Sequence, residues 1–215
     1  MSYKEECLDR VSKTRVMAAL RGGFTPERAI AVCEALVEEG FDVLEFTMNS
    51  LNPIETMRAV KAHFGDRALV SMGTVLAVDT AHAVLDAGAD FVLSPGSQPA
   101  VIDAVHERDR LMCAGVATPT ECLQAWDHGV RLLKLFPVGS LGVPHFRAIR
   151  GPLNHMNFLC DGGMTLENVP KFLSAGAFAC GLVEALTGDG SQPVEEISAR
   201  ARALRAAIDA APMST

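Results

Sequence analysis

One pattern recurs along this chain and narrows what it can fold into: the end of a helix, a glycine, then a short apolar run. It appears four times, as "VEEGFDVLEF", "LDAGADFVLSP", "WDHGVRLLKLF" and "LSAGAFACGLV". Their glycines, Gly40, Gly88, Gly129 and Gly176, lie between forty-one and forty-eight residues apart. Glycine just past a helix takes the left-handed conformation that ends it. Between these units lie four more apolar runs, each followed by glycine and a helix start: "RVMAALRGGFTPERA", "ALVSMGTVLAVDTA", "LMCAGVATPTECL" and "NFLCDGGMTLENV". Thr25 before Pro26 and Thr118 before Pro119 each set an N-cap ahead of a proline at the first helical position. Glu121, three residues after Thr118, completes a capping box.

The reading is eight strands alternating with eight helices, ending in the helical "PVEEISARARALRAAIDAA". Regular alternation implies parallel strands joined by right-handed crossovers. Eight such units in 215 residues fit an α/β fold, a (β/α)8 TIM barrel forming one domain over residues 1–215. An open doubly wound sheet is the alternative, but "GDGSQP" near Gly188 has neither the preceding strand nor the glycine spacing of a dinucleotide fingerprint. A hydrophobic fraction of 49% supports a large core, and its runs are strand length, short of the roughly 20 residues of a membrane helix. The polar, charged "MSYKEECLDR" leads us to expect no signal peptide. A net charge of −7 without Lys/Arg clusters argues against nucleic acid as a partner. The cysteines, Cys7, Cys33, Cys113, Cys122, Cys160 and Cys180, form no CxxC pair, which suits buried, reduced thiols in a cytoplasmic protein. The histidines lack ligand spacing, so no metal is expected.

Within this frame "RLLKLFPVG" sets a lysine inside an otherwise apolar strand. Side chains alternate along a strand, so Leu132, Lys134 and Phe136 share one face. Lys4, Lys13, Lys61 and Lys171 fall in terminal or helical contexts. Lys134 alone lies in a strand, near its C-terminal end, where barrel active sites are built. One reading is a lysine paired with a carboxylate for packing. The other is a desolvated amine whose pKa burial lowers, free to attack a carbonyl. In "DVLEFTMNS", Glu45 interrupts the second strand in the same way, sharing a face with Val43 and Thr47. Both charged groups are therefore expected inside the barrel near its mouth, where burial raises the glutamate pKa and suits it to acid–base work.

These residues stand in the segments "ALRGGFTPERA", "GFDVLEFTMNS", "GTVL", "LSPG", "GVATPTE", "LKLFP" and "DGGMT", in that order. Through them nearly the whole chain resembles the class I aldolases that act on 2-keto-3-deoxy-6-phosphogluconate (KDPG), its galactonate counterpart and 4-hydroxy-2-oxoglutarate (KHG). The resemblance implies a lyase of carbohydrate metabolism. Lys134 would form a Schiff base with a 2-oxo acid, and Glu45 would serve as acid and base. Cleavage would release pyruvate from a small-molecule substrate, with no cofactor or metal, because the imine supplies the polarisation. It also implies that Thr74 and the turn Ser94-Pro95-Gly96 line the pyruvate pocket, and that the protein is a homotrimer. A ligand-binding barrel without activity is the remaining reading, against which the intact Lys134 and Glu45 stand.

Two positions concern anions. Arg21, ending the first strand, is placed to hold a carboxylate in a bidentate pair, or else is a surface arginine on a loop. One branch of the family carries its carboxylate-binding arginine four residues after the glutamate, where this chain has Asn49. The family's phosphate site uses glycines after strand seven and a Gly-Ser segment after strand eight. Gly162 and Gly163 are present, but Val183 and Glu184 stand near the Gly-Ser place, and Asp161 precedes the glycine pair. Two carboxylates repel a dianion, so an unphosphorylated substrate is expected, with Asp161 accepting hydrogen bonds from its hydroxyls; the family's 2-keto-3-deoxy-6-phospho-sugar acids are the alternative.

Overall fold

The structure is a computed structural model and describes residues 2–211. Its strands are β1 (Val16–Leu20), β2 (Val43–Thr47), β3 (Leu69–Gly73), β4 (Phe91–Leu93), β5 (Leu111–Val116), β6 (Leu132–Leu135), β7 (Phe158–Cys160) and β8 (Ala179–Leu182). Each pairs in parallel with the next, and β8 returns to β1 through Val16↔Cys180, Met17↔Gly181 and Ala18↔Leu182, closing the barrel. Every strand residue is buried, as expected of a parallel sheet wrapped in helices on one side and filled with side chains on the other.

Around the barrel run α1 (Tyr3–Thr14), α2 (Pro26–Glu38), α3 (Pro53–Phe64), α4 (Val78–Asp86), α5 (Pro99–His106), α6 (Pro119–Asp127), α7 (Gly142–Arg150), α8 (Val169–Ser174), α9 (Glu184–Thr187) and α10 (Val194–Asp209). The predicted caps form. Thr25 accepts from the Arg28 N–H, and Thr118 and Glu121 close a capping box, each cap worth about 1 kcal/mol. Gly40, Gly88, Gly129 and Gly176 all have positive φ, between 82° and 99°, as a left-handed helix stop requires.

The helix count needs correction. Among the described residues two helices exceed the eight expected. The polar N-terminal stretch is α1, begun by a capping box between Ser2 and Glu5. It carries a narrow apolar stripe, and its Cys7 and Val11 join Met17, Val43, Leu69, Phe91, Leu111, Leu132, Leu159 and Ala179 in one buried cluster. That cluster fills the N-terminal end of the barrel, with α1 as its plug. The second extra helix is the short α9, held to β1 where the buried Thr187 hydroxyl donates to the Ala19 carbonyl at 2.7 Å. A separate, larger cluster lies between the outer faces of the strands and the helices. All six cysteines are free and buried, and no helix among the described residues is long and apolar enough to cross a membrane.

Candidate active site

Alternation puts every second strand residue inside the barrel, and the interior changes character two residues further up the same strands. Above Val43 stands Glu45, above Leu132 stands Lys134, and one residue past β7, above Leu159, stands Asp161. All three are buried. The Lys134 Nζ lies 2.5 Å from Asp161 Oδ2 and 3.8 Å from Glu45 Oε1, and 5.5 Å from the centre of the Phe136 ring.

Glycines make the room. A Cβ on Gly73 of β3 would overlap Glu45 Oε1, and one on Gly115 of β5 would overlap the Pro95 backbone. Gly115 pairs with Lys134, so Pro95 is brought in beside the lysine. A Cβ on Gly181 of β8 would come within 3.0 Å of the Asp161 carboxyl carbon. Sequence reading missed these three positions as parts of the site, although each lies on an inward face of its strand.

Charge decides how the groups titrate. Burial, helped by the nearby Asp161 carboxylate, outweighs the opposing pull of Lys134 and Arg21 and raises the Glu45 pKa to about 6. For Lys134 the expected lowering is wrong. Burial does work against the ammonium, but the carboxylates of Glu45 and Asp161 together outweigh it and lift its pKa above the ordinary lysine value. The expectation considered desolvation and a single carboxylate, whereas the folded barrel supplies two.

The mouth is a cavity of about 310 Å³ lined by Arg21, Lys134, Phe136, Asp161, the Gly162-Gly163 pair and Glu184, among others. Arg21 is half-buried rather than on the surface, and its Nε is a buried donor without a hydrogen-bond partner among the described residues. The loop that carries it is tied down: Gly22 N–H donates to Ser50 Oγ at 3.1 Å, and that hydroxyl lies 2.9 Å from Thr47 Oγ1. Gly162 and Gly163 have φ of 77° and 78°, and the Gly162 N–H is already engaged, donating to Asp161 Oδ1 at 2.5 Å. Asp161 was expected at the edge of a phosphate site, repelling a dianion. Its charge instead faces Lys134, which leaves the exposed Glu184 as the free carboxylate of that region.

Thr74 and Pro95 do not line this cavity. Thr74 follows Gly73 with a φ of 61°, a strained conformation for a β-branched residue. It sits at the β3 end, next to the glycine on which the Glu45 carboxylate rests. Asn49 is exposed. Another cavity, of about 370 Å³, opens at the opposite end of the barrel beside Lys4, Arg110 and Arg131. Its cations are engaged: Lys4 pairs with Asp109 at 3.0 Å, while Arg110 and Arg131 lie over the rings of Tyr3 and Trp126. The mouth, with its mutually perturbed buried acid and amine, is the better candidate for chemistry.

The model of the KDPG and KHG aldolase family matches residues 8–199. A 2-dehydro-3-deoxy-6-phosphogalactonate aldolase of Escherichia coli (strain K12) is 32% identical over 193 residues, covering 89% of this chain and 93% of the relative. Among solved structures, the "Native KDPGal structure" superposes with a TM-score of 0.86 at 30% identity, covering 91% of this chain and 95% of that one. A KDPG aldolase from Legionella pneumophila, with pyruvate captured as a covalent carbinolamine intermediate, superposes with a TM-score of 0.78 at 25% identity over 95% of this chain and 97% of the other.

Proposed function

As the chain belongs to the KDPG and KHG aldolase family, a family of carbon–carbon lyases acting on small molecules, we propose that it cleaves a 4-hydroxy-2-oxo acid to pyruvate and an aldehyde through a Schiff base on Lys134. The observation that carries this reading is the meeting of a buried amine and a buried carboxyl, Lys134 Nζ and Glu45 Oε1, 3.8 Å apart at the C-terminal mouth of the barrel.

The chemistry runs as follows. Neutral Lys134 attacks C2 of the substrate to give a carbinolamine, which loses water to form an iminium. The C3–C4 bond then breaks, its electrons passing into the iminium to leave an enamine, while Glu45 takes the C4-hydroxyl proton and the aldehyde departs. Protonation of the enamine at C3 and hydrolysis release pyruvate and free the lysine. Glu45, with a pKa of about 6, is ionised at neutral pH and close enough to its pKa to return the proton. Arg21, whose Nε lacks a partner, holds the substrate carboxylate.

The preferred substrate in this reading is unphosphorylated. Asp161 occupies the Gly162 N–H, removing a backbone donor from an incoming phosphate, and Glu184 opens α9 with a carboxylate lining the same cavity, where an anion would otherwise meet a helix N-terminus. A second reading, a phosphorylated sugar acid, is favoured by the names of relatives such as the Escherichia coli phosphogalactonate aldolase. The family resemblance supports reading the protein as a cytoplasmic homotrimer.

One experiment tests the reading in two steps. Pyruvate with borohydride is expected to add mass at Lys134 and nowhere else, and Lys134→Ala to abolish both label and turnover. A label that survives this substitution removes Lys134 from its role. Paired phosphorylated and unphosphorylated 2-keto-3-deoxy sugar acids are then compared by kcat/KM, with the unphosphorylated member expected to be the better substrate.

A further inference from the structure

Resting on the Schiff-base reading, we propose that Asp161 is a second catalytic carboxylate, dedicated to the Lys134 nitrogen: it accepts the proton that makes the amine nucleophilic, passes it to the substrate oxygen that leaves as water, and then stands as counter-ion to the iminium.

The geometry divides the two carboxylates. Asp161 Oδ2 is at hydrogen-bond distance from Nζ, 2.5 Å, whereas Glu45 Oε1 at 3.8 Å is not. Asp161 is also the more firmly held. Its N–H donates to Leu135 O at 3.1 Å, its carbonyl accepts from Val138 N–H at 2.9 Å, and its Oδ1 accepts from Gly162 N–H. The missing side chain at Gly181 leaves its carboxyl space. These contacts aim one oxygen at the backbone and the other at the amine.

Proton bookkeeping gives that oxygen a task. The free amine carries three protons as an ammonium, and the iminium carries one. Two protons must therefore leave the nitrogen and reach the substrate carbonyl oxygen, which departs as water. Asp161, in contact with the nitrogen, takes each in turn and passes it to that oxygen. Its carboxylate then faces the remaining iminium N–H, so the buried cation keeps a partner throughout. Glu45 is left free for the C4 hydroxyl. The other titratable or charged groups around Lys134 are Cys113 from β5, whose thiol burial keeps neutral, and Arg21 and Glu184 across the cavity. The thiol and the guanidinium accept no proton from an ammonium at neutral pH, and the Glu184 side chain is exposed at the rim rather than held against the amine.

The test is the pH dependence of pyruvate trapping by borohydride, which reads imine formation without carbon–carbon cleavage. In wild-type protein trapping is expected to proceed at neutral pH, because Asp161 takes the proton in place, with a further rise as the Lys134 ammonium itself titrates above the ordinary lysine range. Asp161→Asn is expected to move that midpoint down by a pH unit or more, because the ammonium loses its nearest anion. It is also expected to lower the plateau rate by about 10²-fold, as for loss of a proton-transfer group. Asp161→Glu, which retains the charge but misplaces it, is expected to keep the high midpoint with a reduced plateau, and it serves equally if the asparagine variant does not fold. A wild-type adduct with an unmoved midpoint and plateau in the variants overturns the role of Asp161 alone. No adduct in wild-type protein overturns the Schiff-base reading and this inference with it.

Discussion

The two ends of the barrel interior are built by the same strands, often two residues apart, and differ in almost everything else. At the N-terminal end Val43, Leu69, Phe91, Leu132 and Leu159 pack into one apolar cluster sealed by Cys7 and Val11 of α1. At the C-terminal end the next inward residues include Glu45, Lys134 and Asp161, with glycines at Gly73, Gly115 and Gly181 where bulk would displace them. The lower layer gains from burial, at about 1.5–3 kcal/mol for a large apolar side chain. The upper layer holds desolvated charge, which on its own costs stability. It is tolerable because Lys134 and Arg21 balance the two carboxylates, and because the apolar layer beneath contributes stability through its burial. Stability and reactivity are thus stacked along one set of strands.

Substitutions in the two layers should separate these properties. The largest effect is expected from Glu45→Gln, close to isosteric, with the ammonium of Lys134 still held by Asp161. Its kcat should fall by about 10²–10⁴-fold while the thermal midpoint stays near that of wild type. The wild-type kcat/KM should decline as pH falls through about 6, the pKa of Glu45, because the base form is the one lost, and the variant should lack this limb. A steady-state pH series decides it, and an unchanged acid limb in the variant would mean that another group carries the proton. Next, Phe91→Ala in the lower layer should cost about 3–5 kcal/mol of stability, read by denaturant unfolding, with turnover per folded molecule nearly unchanged. A loss of turnover as large as that of Glu45→Gln would show that the layers do not work separately. The smallest effect is expected from Gly73→Ala. The added methyl meets the end of a side chain rather than backbone, so stability should fall by only about 1–3 kcal/mol. Displacing the Glu45 carboxylate should still lower kcat by about 10²-fold, the scale of a 1 Å misplacement. A variant with wild-type kcat would show that the carboxylate relocates without harm.

Much of this was legible from the residues alone. The glycine-and-strand repeat specified eight parallel strands, and alternation placed Lys134 and Glu45 inside near the mouth. Both are local signals: a helix stop or an inward face depends on a few neighbouring residues. Helix α1 was not legible, because two buried apolar residues, Cys7 and Val11, in a charged segment make a weak stripe whose meaning lies in the barrel end it covers. The partner of Lys134 was not legible either. Alternation from Leu159 makes Asp161 inward, but that it lies at 2.5 Å while Glu45 lies at 3.8 Å follows from the stagger of the closed barrel, which joins strands distant in the chain. The direction of the lysine pKa shift turned on the same fact. Desolvation can be read from an apolar strand, whereas the field of two carboxylates exists only once closure has brought β2 and the end of β7 to the same amine.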